Sequence, residues 1–318
     1  MYINLTDRKL DKLTLAQKKA LYKSSKRAYY NAEPIMSDAA FDMLEDNLKA
    51  VAPKWVGLKA AGAPIEKNVK KKVKLPINMF SLDKVKPANA AAWLSKQTGP
   101  GVVSLKADGA SLEVIYRGGQ PVQAITRGDG RIGGDVSYLL PHMKIPQKIS
   151  TKSEAILRCE VLFTTKAFSK YREVFDAARN AASGLLNRQD VHTAVKDLSV
   201  VVLQVLKPNP QLSKGLAWAK AQGFTVIPYK VVRDVSQISA EKLTKLLTAQ
   251  KAKAKFQIDG LVVALDAVNP LPKSGNPAWA VAFKTEDTGS VLAEVVRVEW
   301  DVSHLGTLVP VAILKVPS

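Results

Sequence analysis

The 318-residue sequence predicts an α+β fold built on antiparallel sheet, and three observations carry that expectation. Apolar residues in the first 65 positions recur at helical spacing. From Val102 onward, short apolar or alternating runs are separated by glycine-rich turns, the pattern of paired strands. A hydrophobic share of 47% with 24% charged residues is that of a globular chain able to bury a sizeable core, in one to three domains.

Taken in order, residues 7 to 30 predict a helix, with Thr14 and Gln17 as a capping box and Leu10, Leu13, Leu21 and Tyr22 on one face. Asn31 to Pro34 break it. Ser37 then caps a second helix, with Phe41, Leu44 and Leu48 at helical spacing and Pro53 as its stop. The lysine run Lys67, Lys70, Lys71, Lys72 and Lys74 reads either as a solvated linker or as a phosphate contact. Met79-Phe80-Ser81-Leu82-Asp83 follows, then a helix around Ala88 to Lys96.

The run Val102 to Leu105 predicts a strand ending in Lys106, with Asp108 and Gly109 beyond it. Leu112–Tyr116 and Val122–Thr126 form a hairpin around Arg117-Gly118-Gly119-Gln120. Ala155 to Phe163 is a strand carrying Arg158 and Glu160, and Leu198 to Leu206 is a buried strand. Leu212 to Gln222 is a helix closed by Gly223, and Ser239 to Ala254 is another. Phe256–Leu265 and Trp279–Lys284 are strands, and Val295–Trp300 with Leu308–Leu314 open a new unit.

The charge balance narrows the function. Lys and Arg total 47 against 28 Asp and Glu, a net +19 that favours a polyanionic partner, nucleic acid first, over a merely solvated basic surface. The single cysteine, Cys159, excludes an intrachain disulfide and a cysteine zinc site, and reads as a buried small residue. His142, His192 and His304 lack ligand spacing. No apolar run reaches the ~18 residues of a membrane span, and the N-terminus lacks a signal peptide's apolar core, so a soluble intracellular protein is expected.

Chemistry concentrates at Lys106. A lysine acting as nucleophile must shed a proton that it normally holds to a pKa near ~10.4. Burial or neighbouring cations can lower that value. Asp108, two residues on, shares the Lys106 side of a continuing strand, and Gly109 lets the chain turn sharply beside a bound nucleotide.

Five segments line up in order: Lys106-Ala-Asp-Gly109; Thr126-Arg-Gly-Asp-Gly130 with Gly133 and Asp135; Glu160-Val161; Asp259-Gly260-Leu-Val-Val263; and Trp279-Ala-Val-Ala-Phe-Lys284. Together they resemble the nucleotidyltransferase motifs of DNA ligases. Arg179-Asn-Ala-Ala-Ser-Gly184 and the Trp279–Lys284 string resemble the NAD-dependent branch. Tyr29-Tyr30, Pro34 and Asp38-Ala-Ala-Phe-Asp42 resemble that family's nicotinamide-mononucleotide-binding module. Val298 to Val302 and Gly306 to Ala312 resemble the first strands of its OB-fold.

The resemblance implies residues 1–65 as the helical mononucleotide module, 66–288 as a nucleotidyltransferase domain with ATP-grasp-like antiparallel sheets, and 289–318 as the start of an incomplete OB-fold. It implies three steps: a lysine takes AMP from NAD, passes it to the 5′-phosphate of nicked double-stranded DNA, and the 3′-hydroxyl displaces it. Such a ligase serves replication and repair in the cytoplasm, the host's if the gene is carried by a bacteriophage. Lys106 is then the nucleophile, with Asp108, Arg127, Glu160, Asp259 and Lys284 as further catalytic candidates. Asp108, Glu160 and Asp259 are the candidates to hold Mg²⁺. Ser81, Leu82, Gly109, Arg179 and Trp279 are expected around the nucleotide, and Tyr29, Tyr30, Asp38, Phe41 and Asp42 around the leaving mononucleotide. The plain alternatives are a structural ion pair for Glu160, a bulge for Asp259-Gly260, a strand-end lysine for Lys284 and core packing for the aromatics.

The sequence also departs from the family. Ala264 stands where the family has lysine, removing a phosphate contact, and Ser104 where a glutamate contacts adenine. Cys159 replaces a glycine, Gly134 a glutamate and Phe41 a tyrosine. The zinc, helix-hairpin-helix and BRCT parts of long bacterial forms are missing, so either this is an excised piece or a second subunit supplies the rest. Two rival functions stand beside the ligase: a catalytically impaired nucleic-acid-binding protein, and an ATP- or GTP-using nucleotidyltransferase.

Overall fold

In a computed structural model of the chain, residues 10–31, 35–59, 71–188, 190–285, 294–302 and 308–315 are described. Met1–Thr285 form one compact unit and Glu286–Ser318 another. Helix α1 (Leu15–Asn31) starts at the expected capping box: Thr14 N donates to Gln17 Oε1 at 2.9 Å and Gln17 N to Thr14 Oγ1 at 3.2 Å. The box places the start of this helix at Leu15, after a break that follows the helical Leu10 and Asp11, while residues 7–9 lie outside the described residues. Ser37 caps α2 (Asp38–Val51) by accepting from Ala40 N at 3.2 Å, and α3 (Val56–Lys59) follows. Leu10, Tyr22, Met36, Ala40, Leu44 and Leu48 bury a small core between these helices. Tyr22 stacks on Phe41 with ring centroids 5.0 Å apart.

The rest of the first unit is organised by two five-stranded sheets. One runs β10-β3-β11-β12-β2, using Tyr229–Val232, Gly101–Ala107, Ile258–Leu265, Ala280–Phe283 and Asp83–Val85. The other runs β5-β4-β7-β8-β9, using Gln120–Thr126, Ala110–Arg117, Ala155–Leu162, Ser199–Lys207 and Thr225–Val226. Pairing is antiparallel except at the β12–β2 and β8–β9 edges. A short ribbon pairs β1 (Lys72–Lys74) with β6 (Ile132–Gly134). Residues of both sheets share one apolar core with α4 (Pro87–Leu94), α6 (Ala178–Asn187), α7 (Leu212–Ala221) and α8 (Ala240–Lys251), while α5 (Thr165–Phe168) is a single turn.

The crossover between the sheets positions the site. β3 belongs to the first sheet and β4 to the second, and only Asp108 and Gly109 join them. A Cβ on Gly109 would lie 2.4 Å from the Val161 carbonyl oxygen and 3.0 Å from Glu160 Cγ. Glycine is thus required for close approach to β7, rather than for the sharp turn expected from sequence.

One face of β4 and β7 carries a polar row. Register sets Ser111 opposite Glu160 and Glu113 opposite Arg158, then Ile115 opposite Ile156. Ile115 and Ile156 join Leu75, Met79, Ile125 and Leu206 in a separate apolar cluster. Glu113 is 0% exposed, and neither carboxylate oxygen makes a well-formed hydrogen bond.

Sequence reading missed β1, β2, β6, β9 and β10, strands of two to four residues too short to show a period. The described part of the lysine run is not simply a linker, since Lys72 and Lys74 lie in β1. Lys67 and Lys70 lie outside the described residues. In the second unit β13 (Glu294–Val302) pairs antiparallel with β14 (Leu308–Lys315).

Burial pushes the Glu113 carboxyl up to about 8, against weaker pulls from the Ile77 backbone and Arg158. Below pH 4.5 the acid is neutral whether folded or unfolded. As pH rises from 4.5 toward 8 only the unfolded chain loses the proton, so folding loses stability. Glu113→Gln should therefore stabilise the chain by about 2 kcal/mol or more at pH 8, and by little near pH 4.5, in denaturant titrations at both pH values. Equal effects at the two pH values would contradict this.

Candidate active site

Lys106, Asp108, Arg127, Glu160, Asp259 and Lys284 all line one cavity of about 370 Å³. The two sheets deliver them from separate places: Lys106 and Asp259 on neighbouring strands β3 and β11, Glu160 on β7, Lys284 just after β12, and Arg127 just after β5. Ser81, Leu82, Gly109, Arg179, Trp279, Phe41 and Asp42 line the same cavity. The side chains of Tyr29, Tyr30 and Asp38 lie outside the described residues.

The centre of the site is a carboxylate shared by two ammonium groups. Lys106 Nζ donates to Asp259 Oδ2 at 2.9 Å, and Lys284 Nζ lies 3.0 Å from the same oxygen. Burial alone would raise the Asp259 carboxyl, but Lys106 and Lys284 outweigh it and hold it far below the usual range. For Lys106 burial pulls the pKa down, yet Asp259, helped by Asp108 and Glu160, carries it above the ordinary lysine value. The expectation of a lowered lysine pKa is therefore corrected. The pull of these carboxylates outweighs burial, so the amine is an ammonium in the ligand-free protein at neutral pH.

The other carboxylates have distinct settings. Asp108 is ion-paired with Arg179. Arg179 reaches it from the first turn of α6, where the small, fully buried Ala181 and Ala182 seat the helix in the core. Glu160 is buried and accepts from the Ser111 hydroxyl at 2.9 Å. Burial raises its carboxyl, opposed by the Ser111 hydrogen bond and by Lys106, Arg158 and Arg127. Arg127 donates to Ser81 Oγ at 2.7 Å and Arg158 to the Phe80 carbonyl at 3.0 Å. The Met79–Asp83 stretch is thereby fixed over the cavity by two arginines.

The helical module closes the other side. Lys84 Nζ lies 2.6 Å from Asp42 Oδ1 and 2.9 Å from Glu45 Oε2, and Tyr22 donates to Glu45 Oε1 at 2.7 Å. Lys284 also reaches Asp42 at 3.5 Å. Burial alone would raise the Glu45 carboxyl, but Lys84 and Lys49 bring it down to about 2. Burial brings the Lys26 ammonium down to about 8, despite Glu45. Sequence reading did not single out Lys26, Glu45, Lys84 or Ser111. The first three sit on helices or an edge strand among ordinary surface charges, and only Ser111, two residues past Gly109, had a positional signal.

With Asp259 removed, burial would lose its chief counterweight at Lys106, leaving only Asp108 and Glu160 to oppose it. Asp259→Asn should lower the Lys106 pKa and raise its labelling by an amine-reactive reagent at pH 8, read by peptide mass mapping. Unchanged or reduced labelling would count against the charge bridge.

Comparison with known proteins agrees with this geometry. The family model of the NAD-dependent DNA ligase adenylation domain matches residues 67–288. A DNA ligase of Acanthamoeba polyphaga mimivirus is 33% identical over 300 residues, covering 92% of this chain and 46% of that protein. A DNA ligase of Sorangium cellulosum is 30% identical over 338 residues, covering 95% of this chain and 49% of its own. A putative DNA ligase of Invertebrate iridescent virus 6 is 27% identical, covering 96% of this chain and 49% of its own. The chain thus spans about half the length of the curated relatives it matches. With the adenylation model matched across both sheets and every strand that bears the lysine–carboxylate bridge, the chain belongs to the NAD-dependent DNA ligase adenylation domain family.

Proposed function

We propose that this chain carries out the adenylation chemistry of an NAD-dependent DNA ligase, with Lys106 as the nucleophile. The observation that carries the reading is Lys106 held by Asp259 inside a cavity that also presents Arg127, Glu160 and Lys284. Lys106 Nζ bonds to the α-phosphorus of NAD while the bridging phosphorus–oxygen bond breaks. Nicotinamide mononucleotide departs with that electron pair on its phosphate, and AMP remains as a phosphoramidate. The ammonium must first lose its proton. Glu160, whose buried carboxyl has a raised pKa, is the better-matched acceptor, whereas Asp259 is held too acidic and serves to aim the amine. Arg127 and Lys284 face the charge that builds on the transferring phosphate. Phe41 and Asp42, with Tyr29, Tyr30 and Asp38, are read as the contacts of the leaving mononucleotide. Ser81, Leu82, Gly109, Arg179 and Trp279 are read as contacts of the retained half.

The family's Mg²⁺ fits this donor set in a limited way. Among the described residues no three His, Cys, Asp or Glu side chains converge as a protein-only cage. Asp108 and Asp259 are committed to cations and Glu160 is read as the proton acceptor, so a hydrated ion would be held chiefly through substrate phosphate, with these three carboxylates around it. Such an ion, when bound, screens phosphate charge.

The later steps are part of the same proposal: AMP moves to the 5′-phosphate of a DNA nick, and the 3′-hydroxyl displaces it. The net charge of +19 supports a DNA partner. Residues 1–65 would act as the mononucleotide module and 66–288 as the nucleotidyltransferase domain. We read β13 and β14 as the first strands of an OB-fold. Among the described residues no helix is long and apolar enough to cross a membrane, and the proposed site of action is the cytoplasm.

Incubation with NAD and Mg²⁺ should add one AMP to the intact mass of the chain, and Lys106→Ala should add none. Arg127→Ala should slow the addition by about a hundredfold. No mass change in the wild-type chain would overturn this reading and favour a nucleic-acid binder with a retired site.

A further inference from the structure

The cavity extends beyond the reacting amine, and its far end has an unusual composition. Side chains on a strand alternate faces, so Ser104 and Val102 share the Lys106 face of β3. Register sets Lys106 opposite Gly260, Ser104 opposite Val262 and Val102 opposite Ala264 on β11. At ~3.4 Å per residue, Ser104 lies about 7 Å and Val102 about 14 Å from Lys106 along the strand. A nucleoside tethered through its phosphate to Lys106 spans that interval, which puts its base over Ser104, Val262, Val102 and Ala264. Leu203 and Gln204 of β8 also line the cavity.

Among the described residues the only charged side chains that β3, β8 and β11 contribute to this cavity are Lys106 and Asp259, both at the reacting end. The hydrogen-bonding side chains that these strands leave in the cavity are the Ser104 hydroxyl, at the base end, and the Gln204 amide, which register sets opposite Arg158 on β7. Neither is committed to another hydrogen bond among the described residues. A hydroxyl can rotate, and an amide can turn over, to offer either a donor or an acceptor. A 6-aminopurine presents a donor at the 6-position and an acceptor at N1, and a 6-oxopurine presents the reverse. A fixed charge tells the two apart, because the wrong base leaves a buried group unpaired. Two groups of changeable polarity between apolar walls leave nothing unpaired with either base.

We propose that the base end of this pocket does not discriminate a 6-amino from a 6-oxo purine, so the chain takes nicotinamide hypoxanthine dinucleotide nearly as well as NAD. This rests on the adenylation reading given above. The step is unchanged: the Nζ–phosphorus bond forms, the pyrophosphate bridge breaks, nicotinamide mononucleotide leaves with the electron pair, and the lysine proton passes to Glu160.

The test follows initial rates of covalent labelling of the full chain with each dinucleotide and Mg²⁺, by intact mass, which separates AMP from IMP adducts. The wild-type rates should agree within about threefold. Ser104→Ala should leave the ratio where it is. Ser104→Glu should shift it toward NAD by about tenfold or more, since a carboxylate accepts from a 6-amino group and repels a 6-oxygen. A wild-type preference for NAD above about thirtyfold, or an unmoved ratio in Ser104→Glu, would overturn the inference while leaving adenylation intact. Absence of label from both dinucleotides would overturn both.

Discussion

The bridge Lys106–Asp259–Lys284 is the constraint on which the site depends. One carboxylate holds two ammonium groups from β3 and from the end of β12 within 3.0 Å. Two buried cations so close would repel strongly without it, since charges in a low-dielectric interior are poorly screened. The same contact that makes the site stable also keeps the nucleophile protonated. The ligand-free protein is thus poised rather than active. As the proposed nucleophile, Lys106 has to give up that proton before it can attack, and Glu160 is the proposed acceptor.

The architecture explains why the bridge can exist. The direct passage from β3 to β4 through Asp108 and Gly109 puts the lysine at the seam of two sheets. One sheet supplies Asp259 as its neighbour, and the other supplies Glu160. A helix with a small-residue face brings Arg179 onto Asp108. The helical module adds Asp42, held by Lys84 and Lys284, so this module is tied to the Lys106 end of the cavity. Packing at the seam tolerates no side chain at position 109, which makes that glycine a requirement of shape rather than of turn geometry.

Much of this was legible from sequence. Capping at Thr14 and Ser37, the hairpin at Gly118-Gly119 and the strands that bear the five motifs could be read locally, because each is encoded by residues within a few positions. The convergence of the catalytic candidates could be expected from motif order alone. What stayed hidden depends on contacts far apart in the chain. The rise rather than fall of the Lys106 pKa is set by Asp259, 153 residues away. The Lys84–Glu45 pair joins residues 39 apart, and neither stands out among other charges. The burial of Glu113 in an otherwise alternating strand became visible only once an apolar cluster was seen beside it. Short edge strands carried no period to detect.

The central claim is that one amine exchanges a dinucleotide for a covalent adenylate. Crystals of the chain soaked in NAD test it most directly. The account predicts continuous density from Lys106 Nζ to the phosphorus of AMP, with Asp259 still in contact with Lys284. A dinucleotide bound intact with its α-phosphorus out of bonding reach of Lys106, or an adenylate on any other residue, would contradict it.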